Sequence, residues 1–334
     1  MNSTIFSDPR DVIGFGVTYT LAVLAGIFFA GFLILFPFYV YVNKVNRFRD
    51  ELTLVFPITN HFYEMMKKVY ILFLYLIASV FLTLHFLEKE FSLLFTLPEL
   101  TCILCIAALC IIMQVFHVLI SLLALQKSIL YFFPSTERAM CRIFDKLQKN
   151  FWVLYLIFVL KHVICLTLAV ICVFSKCEQR IFSRLKLFYS SVFLILNLFV
   201  ILSSLLYIPI VSSIKRNFSY LPIAQTNKPE RYILYQIVLI LVFKLISCCM
   251  FLYAFFLFQL SSNWPIPIIM ILDIMMVPLI VEISYLGSNK RNVQTLFSSF
   301  NLLSFLKVLL DFKVESNTVQ PTLSITEASN RLIT

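Results

Sequence analysis

The stretch IIMILDIMMVPLIVEISYLGSNKRN, residues 268–292, carries two carboxylates, Asp273 and Glu282, inside a long apolar run. It ends in two cations, Lys290 and Arg291. A helix needs about 20 mostly apolar residues to cross a lipid bilayer, and this run is of that length. A charge at the centre of a bilayer is costly and usually marks an interior partner or a functional pathway. The stretch therefore predicts a membrane-spanning helix with acids that need partners inside the protein.

The composition extends this conclusion to the whole chain. Of its 334 residues, 61% are hydrophobic and 13% are charged, whereas a soluble domain is about half apolar and about a quarter charged. Seven runs are long and apolar enough to span a membrane. They cover residues 15–42, 69–87, 100–125, 151–174, 187–211, 232–260 and 267–286. The sequence therefore predicts an all-α integral membrane protein with a bundle of seven transmembrane helices.

The distribution of lysine and arginine predicts how the bundle is oriented. Nineteen of these residues fall on one side of the predicted spans and six on the other, and loops rich in them stay in the cytoplasm. We therefore expect the amino terminus outside and the carboxyl terminus inside. Residues 1–14 then form a short extracellular tail and residues 15–286 the bundle. In that tail, Asn2 opens a glycosylation sequon.

Two further segments follow the seventh predicted span. Residues 287–314 repeat apolar side chains at intervals of three and four, but polar residues interrupt the pattern. A helix lying along the inner membrane interface fits this pattern better than an eighth span, although the eighth span remains an alternative. Residues 315–334 are polar and rich in serine and threonine, which is typical of a disordered cytoplasmic tail.

Most of the nine cysteines lie within apolar runs, where cysteine acts as a small packing residue. Cys102 and Cys177 differ. Cys102 opens the third predicted span at its outer end, and Cys177 lies in the outer loop after the fourth. They are the two cysteines best placed to meet in an oxidising compartment, so we expect a disulfide between them, with two unpaired thiols as the alternative.

A polar stripe runs down the third predicted span. Cys110, Gln114, His117 and Ser121 recur at intervals of four, three and four residues, which places them on one helix face. Such a stripe should face other helices and not lipid. It either makes hydrogen bonds between helices or contacts a ligand.

Two ionisable residues of the last two spans are predicted to pair. Lys244 and Asp273 lie at similar distances from the inner ends of their helices, about 18 and 20 Å by helix rise. A very short loop joins these helices. We therefore predict an ion pair between them. For Lys161, in the fourth span, the sequence leaves open whether it extends towards the interface or pairs within the bundle.

Glu282 and Pro278 lie further along the seventh span. Glu282 is nine residues beyond Asp273, which places it on the opposite helix face and about 13 Å deeper. We expect Glu282 to reach water or a basic loop at the inner interface. Pro278 removes a backbone hydrogen bond between the two acids, so it is a candidate hinge or a packing irregularity.

The arrangement of spans and cysteines resembles the rhodopsin-like G-protein-coupled receptors. The strings HVLISLLALQKSILYFFPSTER and VPLIVEISYLGSNKRNVQTLF are more specifically similar to nematode serpentine chemoreceptors of class Z (Srz). Some residues depart from the rhodopsin-like pattern. Gln126 and Lys127 stand where an acid and an arginine are expected, and Val277 and Val281 replace the asparagine and tyrosine expected around Pro278.

The resemblance implies a chemosensory receptor of the plasma membrane, in sensory cilia of chemosensory neurons. It implies a small-molecule ligand, a heterotrimeric G protein and membrane lipid as partners, with no cofactor, no metal and no enzymatic activity. Two groups of residues are candidates. The ligand site or polar core comprises Gln114, His117, Lys244 and Asp273. The surface facing the G protein comprises Gln126, Lys127, Arg138, Lys215 and Arg216.

Other classes of membrane protein fit less well. A ligand-gated channel of the insect odorant-receptor type also has seven helices, but its amino terminus is inside. A heptahelical zinc hydrolase needs several histidines and an acid at one depth, and only His117 and His162 share the core. A transporter is disfavoured because the chain shows no internal repeat. The net charge of +10 fits the orientation rule and gives no support to nucleic-acid binding.

Overall fold

The computed structural model describes residues 9–51, 56–87, 92–174, 179–217, 230–258, 265–288, 290–297 and 305–307. Every element in these ranges is helical. The helices are α1 (Pro9–Asp50), α2 (Phe56–Leu87), α3 (Ser92–Phe132), α4 (Glu137–Lys149), α5 (Phe151–Phe174), α6 (Gln179–Asn217), α7 (Glu230–Phe258), α8 (Pro265–Ser288) and α9 (Lys290–Phe297). A single 3-10 turn, Pro134–Thr136, precedes α4.

Seven of the described helices are long and apolar enough to cross a membrane: α1, α2, α3, α5, α6, α7 and α8. This confirms the predicted all-α bundle of seven spans. The second helix begins earlier than predicted, at Phe56. His61, Lys67 and Lys68, which precede the predicted span 69–87, therefore lie on α2. The helix extends this far because one face, with Phe62, Met65, Met66 and Val69, is buried in the bundle.

The seven spans differ greatly in how much of their surface the protein covers. In the most apolar part of each span, 61% of the residues of α3 and 67% of those of α8 are buried, against 6% of those of α5. The helix α3 packs against α2, α5 and α6, and α8 lies between α1 and α7 with further contacts to α3. The interior of the bundle is therefore built around α3 and α8, while α5 turns most of its surface outward.

Aromatic side chains hold α1 against α2. The rings of Phe36 and Tyr70 are stacked with centroids 4.1 Å apart, and Phe32 contacts Phe73 at 5.4 Å. Phe32 and Phe73 are each 1% exposed. Aromatic pairs of this kind stabilise by about 0.5 to 1.5 kcal/mol beyond the area that they bury.

A helix that the sequence pattern did not lead us to predict, α4, follows α3 after the short 3-10 turn. Met140, Ile143, Phe144 and Leu147 repeat at intervals of three, one and three residues, which is the spacing of an amphipathic helix. Ile143 is 58% exposed, so this apolar face is only partly covered by the described residues. The segment lies between the predicted spans 100–125 and 151–174, and its apolar spacing is visible in the sequence.

One end of the bundle carries Lys44, Arg47, Lys67, Lys68 and Lys127, and we call it the basic end. Polar contacts join α1, α8 and α9 there. Asn46 donates to the side-chain oxygen of Asn292 at 2.9 Å, and Asn292 donates to the backbone oxygen of Tyr285 at 2.7 Å. The hydroxyl of Tyr285 donates to Asp50 at 2.9 Å. These bonds fix the carboxyl end of α8 against the end of α1.

The segment predicted as an interfacial helix, residues 287–314, is described only in part. It includes α9 and the helical residues 305–307. Phe305 is 9% exposed and contacts the rings of Phe38 and Tyr41 on α1, at 5.3 and 5.5 Å. A location at the membrane interface stays a prediction. The predicted tails, residues 1–14 and 315–334, lie largely or wholly outside the described residues.

Candidate functional site

The predicted ion pair is present between α7 and α8. Lys244 Nζ donates to Asp273 Oδ2 at 2.5 Å, and both side chains are 2% exposed. The pair lies inside the bundle, where an unpaired charge would be strongly destabilising. Each residue therefore neutralises the other, and the pair joins the two helices at a buried position.

The polar stripe of α3 faces the interior of the bundle, as predicted. Cys110, Gln114, His117 and Ser121 are between 1% and 8% exposed. Two side chains of the stripe, Gln114 and His117, lie at the same cavity as Asp273. The structure therefore brings together three of the four residues that the sequence singled out as a ligand site or polar core. The fourth, Lys244, is bonded to Asp273.

The cavity is small and has both polar and apolar walls. Its polar walls are formed by Gln114, His117 and Asp273, and its apolar walls include Met113, Phe193 and Met270. It offers a volume of about 10 Å³ for the centre of a water molecule, which is room for about one water. A larger molecule can enter only if side chains of the walls move.

Three polar atoms of the residues that line the cavity have no hydrogen-bond partner among the described residues. They are Gln114 Nε2, His117 Nε2 and Asp273 Oδ1. A buried polar atom without a partner costs about 1 to 3 kcal/mol, so such atoms are uncommon in proteins. Their presence on one cavity provides a donor, an acceptor and an imidazole nitrogen for a bound molecule.

The sequence profile of a family described as "Serpentine type 7TM GPCR chemoreceptor Srz" matches residues 22–290. The match covers far more than half of the chain and all seven spans. The chain belongs to this family. No curated protein and no solved structure matches the receptor.

A second polar cluster of the receptor lies where α5 meets α3 and α6. Lys161 Nζ donates to Gln114 Oε1 at 2.9 Å and lies 4.5 Å from the centre of the Tyr189 ring. His162 Nε2 lies 3.1 Å from the Tyr189 hydroxyl. Of the two alternatives left open by the sequence, the structure shows Lys161 turned towards the bundle. Its partner is an amide and not a carboxylate.

The prediction that Glu282 reaches water or a basic loop is wrong. Glu282 is 0% exposed, and no described residue forms a hydrogen bond with either carboxylate oxygen. Glu282 lies towards the basic end of α8, as its helix rise from Asp273 predicts, but its face of the helix does not open to water there. In the receptor α1, α2, α3 and α7 all contact α8, so the face that carries Glu282 is covered as well as the face that carries Asp273.

The predicted G-protein-facing residues lie at or near the basic end. Gln126 and Lys127 are half-buried in the last part of α3, and Arg138 is exposed at the start of α4. Lys215 and Arg216 lie in the last turn of α6, and their side chains are outside the described part of the receptor. Their role stays a prediction.

Three other predicted features are only partly described. Cys102 is half-buried in the first part of α3, whereas Cys177 lies outside the described residues, so the disulfide stays a prediction. Asn2 also lies outside them. Pro278 lies inside α8, which is helical from Pro265 to Ser288. Its role as a hinge stays a prediction.

A metal site receives no support from the described residues. Among them, no three histidine, cysteine, aspartate or glutamate side chains are grouped closely enough to hold a metal ion. His61, which belongs to α2, lies 3.3 Å from the hydroxyl of Tyr155, and His162 contacts Tyr189. These two histidines therefore take part in separate contacts between helices and do not share a metal site in the described residues.

Proposed function

We propose that the receptor binds a small-molecule cue at the cavity between α3, α6 and α8, and that it signals to a heterotrimeric G protein through its basic end. The observation that supports this proposal is the set of three unpartnered polar atoms on one cavity wall, beside a buried ion pair. The receptor acts by binding and not by catalysis. No cofactor is needed for this function.

Asp273 connects ligand binding to helix movement in this proposal. One of its oxygens bonds Lys244 on α7, and the other is unpartnered on a residue that lines the cavity. A ligand that donates to Asp273 competes with Lys244 or reorients the carboxylate. It therefore changes the relative free energy of two arrangements of α7 and α8, which is all that a receptor requires of its ligand.

The signal reaches the G protein at the basic end, which we place in the cytoplasm. Lysine and arginine are concentrated there, in agreement with the charge rule for inner loops. The surface comprises Gln126, Lys127, Arg138, Lys215 and Arg216. Because Gln126 and Lys127 replace the acid and arginine of rhodopsin-like receptors, we expect the contact with the G protein to differ from theirs in detail.

A cell-based assay tests the ligand site. The receptor is expressed with a G-protein activation reporter, exposed to a panel of small odorants, and compared with the Gln114→Leu variant. We expect an activating odorant whose potency falls at least about tenfold in that variant, because the change removes a donor from the cavity. Asn197→Leu is the matched control, since Asn197 bonds the backbone of its own helix and does not line the cavity.

Surface delivery must be measured in the same cells. Equal surface levels of both variants, with equal loss of potency, would argue against a ligand at this cavity. Absence of any G-protein response from a receptor that is present at the surface would argue against the signalling role.

The orientation has a separate test. An epitope tag added before Met1 should be labelled on intact cells, since we place the amino terminus outside at the plasma membrane. A tag that is labelled only after permeabilisation would favour the channel topology. Removal of the Asn2 sequon should lower the apparent mass by one glycan if that site is used. In the animal, we expect the receptor in the cilia of chemosensory neurons.

A further inference from the structure

Lys161 is a cation of the α5 span, and the described residues supply no acidic partner for it. It lies ten residues after the first residue of α5, about 15 Å along the helix axis, so it is near the middle of a 24-residue span. Its ammonium group contacts the Gln114 amide oxygen and the faces of Tyr189 and Phe158. No carboxylate of the described residues lies within ion-pair distance of it.

The contrast with Lys244 shows that this is unusual. Lys244 is neutralised by Asp273, whereas Lys161 receives only a neutral amide and two aromatic rings. Those contacts stabilise an ammonium group only in part. A charge at the centre of a bilayer costs at least about 2.5 to 3.5 kcal/mol, and such residues commonly belong to a ligand or ion pathway.

Gln114 joins Lys161 to the cavity. Its oxygen accepts from Lys161, and its nitrogen is unpartnered although the residue lines the cavity and is 3% exposed. The charged groups that line the cavity or bond to its lining residues thus comprise two ammonium groups, Lys161 and Lys244, and one carboxylate, Asp273. When all three are ionised, their net charge is positive by one unit. Such a site attracts an anion and repels an amine.

We infer that the receptor's cue is a small carboxylic acid, bound as its carboxylate by Lys161 and Gln114. Rotation of the Gln114 amide opens the way to Lys161, and the carboxylate then replaces the amide oxygen as the partner of the ammonium group. The Gln114 nitrogen donates to the same carboxylate. The cavity has room for about one water, so the apolar side chains of Met113, Phe193 and Met270 must also move apart to hold the hydrocarbon part of the acid.

This inference rests on the proposed ligand site, but it makes a separate claim about charge. The test uses the purified full-length receptor in phosphatidylcholine nanodiscs, where the lipid brings no net anionic charge. Sodium salts of straight-chain acids from acetate to octanoate are added at pH 7.5. Each acid is compared with the amide and the amine of the same chain length. The readout is the unfolding midpoint followed by tryptophan fluorescence.

We expect at least one carboxylate to raise the midpoint more than its amide and amine do. Lys161→Met should weaken that binding by roughly tenfold or more, since a hydrogen bond to a charged group is lost. Lys161→Arg keeps the charge and should retain most of the affinity. Lys68→Met is the matched control and should bind as the unchanged receptor does, because Lys68 is exposed on α2, away from the cavity.

Two results would overturn the inference: amides or amines that stabilise the receptor as well as the acids do, or equal binding by Lys161→Met and Lys68→Met. If Lys161→Met does not fold, the three ligand series on the unchanged receptor and on Lys161→Arg decide. Failure of the proposed function is distinguishable. An acid that binds through Lys161 but never activates a G protein contradicts the signalling role alone. A neutral or cationic activator contradicts only the charge claim.

Discussion

The two acids of α8, which are nine residues apart, differ in their hydrogen-bond partners. Asp273 and Glu282 are both buried, at 1% and 0% exposure. Asp273 accepts a hydrogen bond from Lys244, whereas both oxygens of Glu282 lack a partner in the part of the chain that the structure describes. The two acids are therefore equally buried, but among the described residues only Asp273 has a cation that compensates its charge. The partner of a buried acid, and not its depth, therefore determines whether the acid stabilises the bundle.

The difference also separates two possible uses of a buried acid. A compensated acid can join helices and respond to a ligand that competes for it, as we propose for Asp273. An uncompensated acid destabilises the arrangement in which it is found, and it is then expected to be neutral or to gain a partner in another arrangement. Glu282 is of this second kind.

The largest expected effect follows from breaking the compensated pair. Lys244→Met leaves Asp273 buried without a cation, so we expect the free energy of unfolding to fall by about 3 to 5 kcal/mol. The measurement is a titration of the purified receptor in mixed micelles with sodium dodecyl sulfate. Lys68→Met is the control, since Lys68 is exposed and its removal should change the free energy by less than about 0.5 kcal/mol.

The double variant Lys244→Met with Asp273→Leu sharpens this prediction. Apolar residues of similar size can replace a buried pair with little loss, so the double variant should recover most of the stability lost in either single variant. Losses that simply add in the double variant would show that the two residues stabilise the receptor independently.

The uncompensated acid should give the opposite sign. Glu282→Met removes a buried carboxyl without hydrogen bonds and keeps a side chain of similar length. We expect the free energy of unfolding to rise by about 1 to 3 kcal/mol. The matched change at the other acid, Asp273→Leu, should lower it, because Lys244 then loses its partner. The same titration measures both. A loss of stability in Glu282→Met would show that Glu282 has a stabilising partner in the folded receptor.

The spans and the buried ion pair could be predicted from the sequence, whereas the environment of Glu282 could not. The seven spans depend on apolar length alone, and the pairing of Lys244 with Asp273 depends on helix rise and a short loop. The sequence contains both quantities directly. The environment of Glu282 depends on how many helices surround α8, and only the packed bundle determines that. The contact of Asn46 with Asn292 joins residues 246 positions apart, for which no local pattern exists.

The second polar cluster, where α5 meets α3 and α6, was predicted only in part, because helix packing determines the rest. Periodicity showed that Gln114 faces the interior, because spacing along one helix is sufficient for that. It could not show that Lys161 is its partner, since a lysine near the middle of a span can extend in several directions. The rotation of α5 about its own axis decides this, and α5 turns most of its residues outward.

An intermediate effect is expected at the link between α1 and α9. Asn46 and Asn292 form a buried hydrogen bond at 2.9 Å, and both residues are nearly unexposed. We predict a coupling energy of about 1 kcal/mol from the cycle of Asn46→Ala, Asn292→Ala and the double variant. Strictly additive losses would contradict this pairing. The measurement also shows whether α9, which follows the seventh span, stabilises the bundle.

The smallest effect belongs to the ion pair most unlike the buried one. Arg47 Nε lies 2.9 Å from Glu51 Oε1 at the end of α1, but the two side chains are 52% and 44% exposed. Water and salt screen this pair, and exposed pairs at this spacing stabilise by only about 0.3 to 0.5 kcal/mol. Arg47→Ala should therefore change the free energy of unfolding by no more than that amount, and less at high salt. A decrease in the free energy of unfolding close to that of Lys244→Met would mean that exposure does not distinguish the two pairs. Desolvation would then not explain why charges with and without a partner differ.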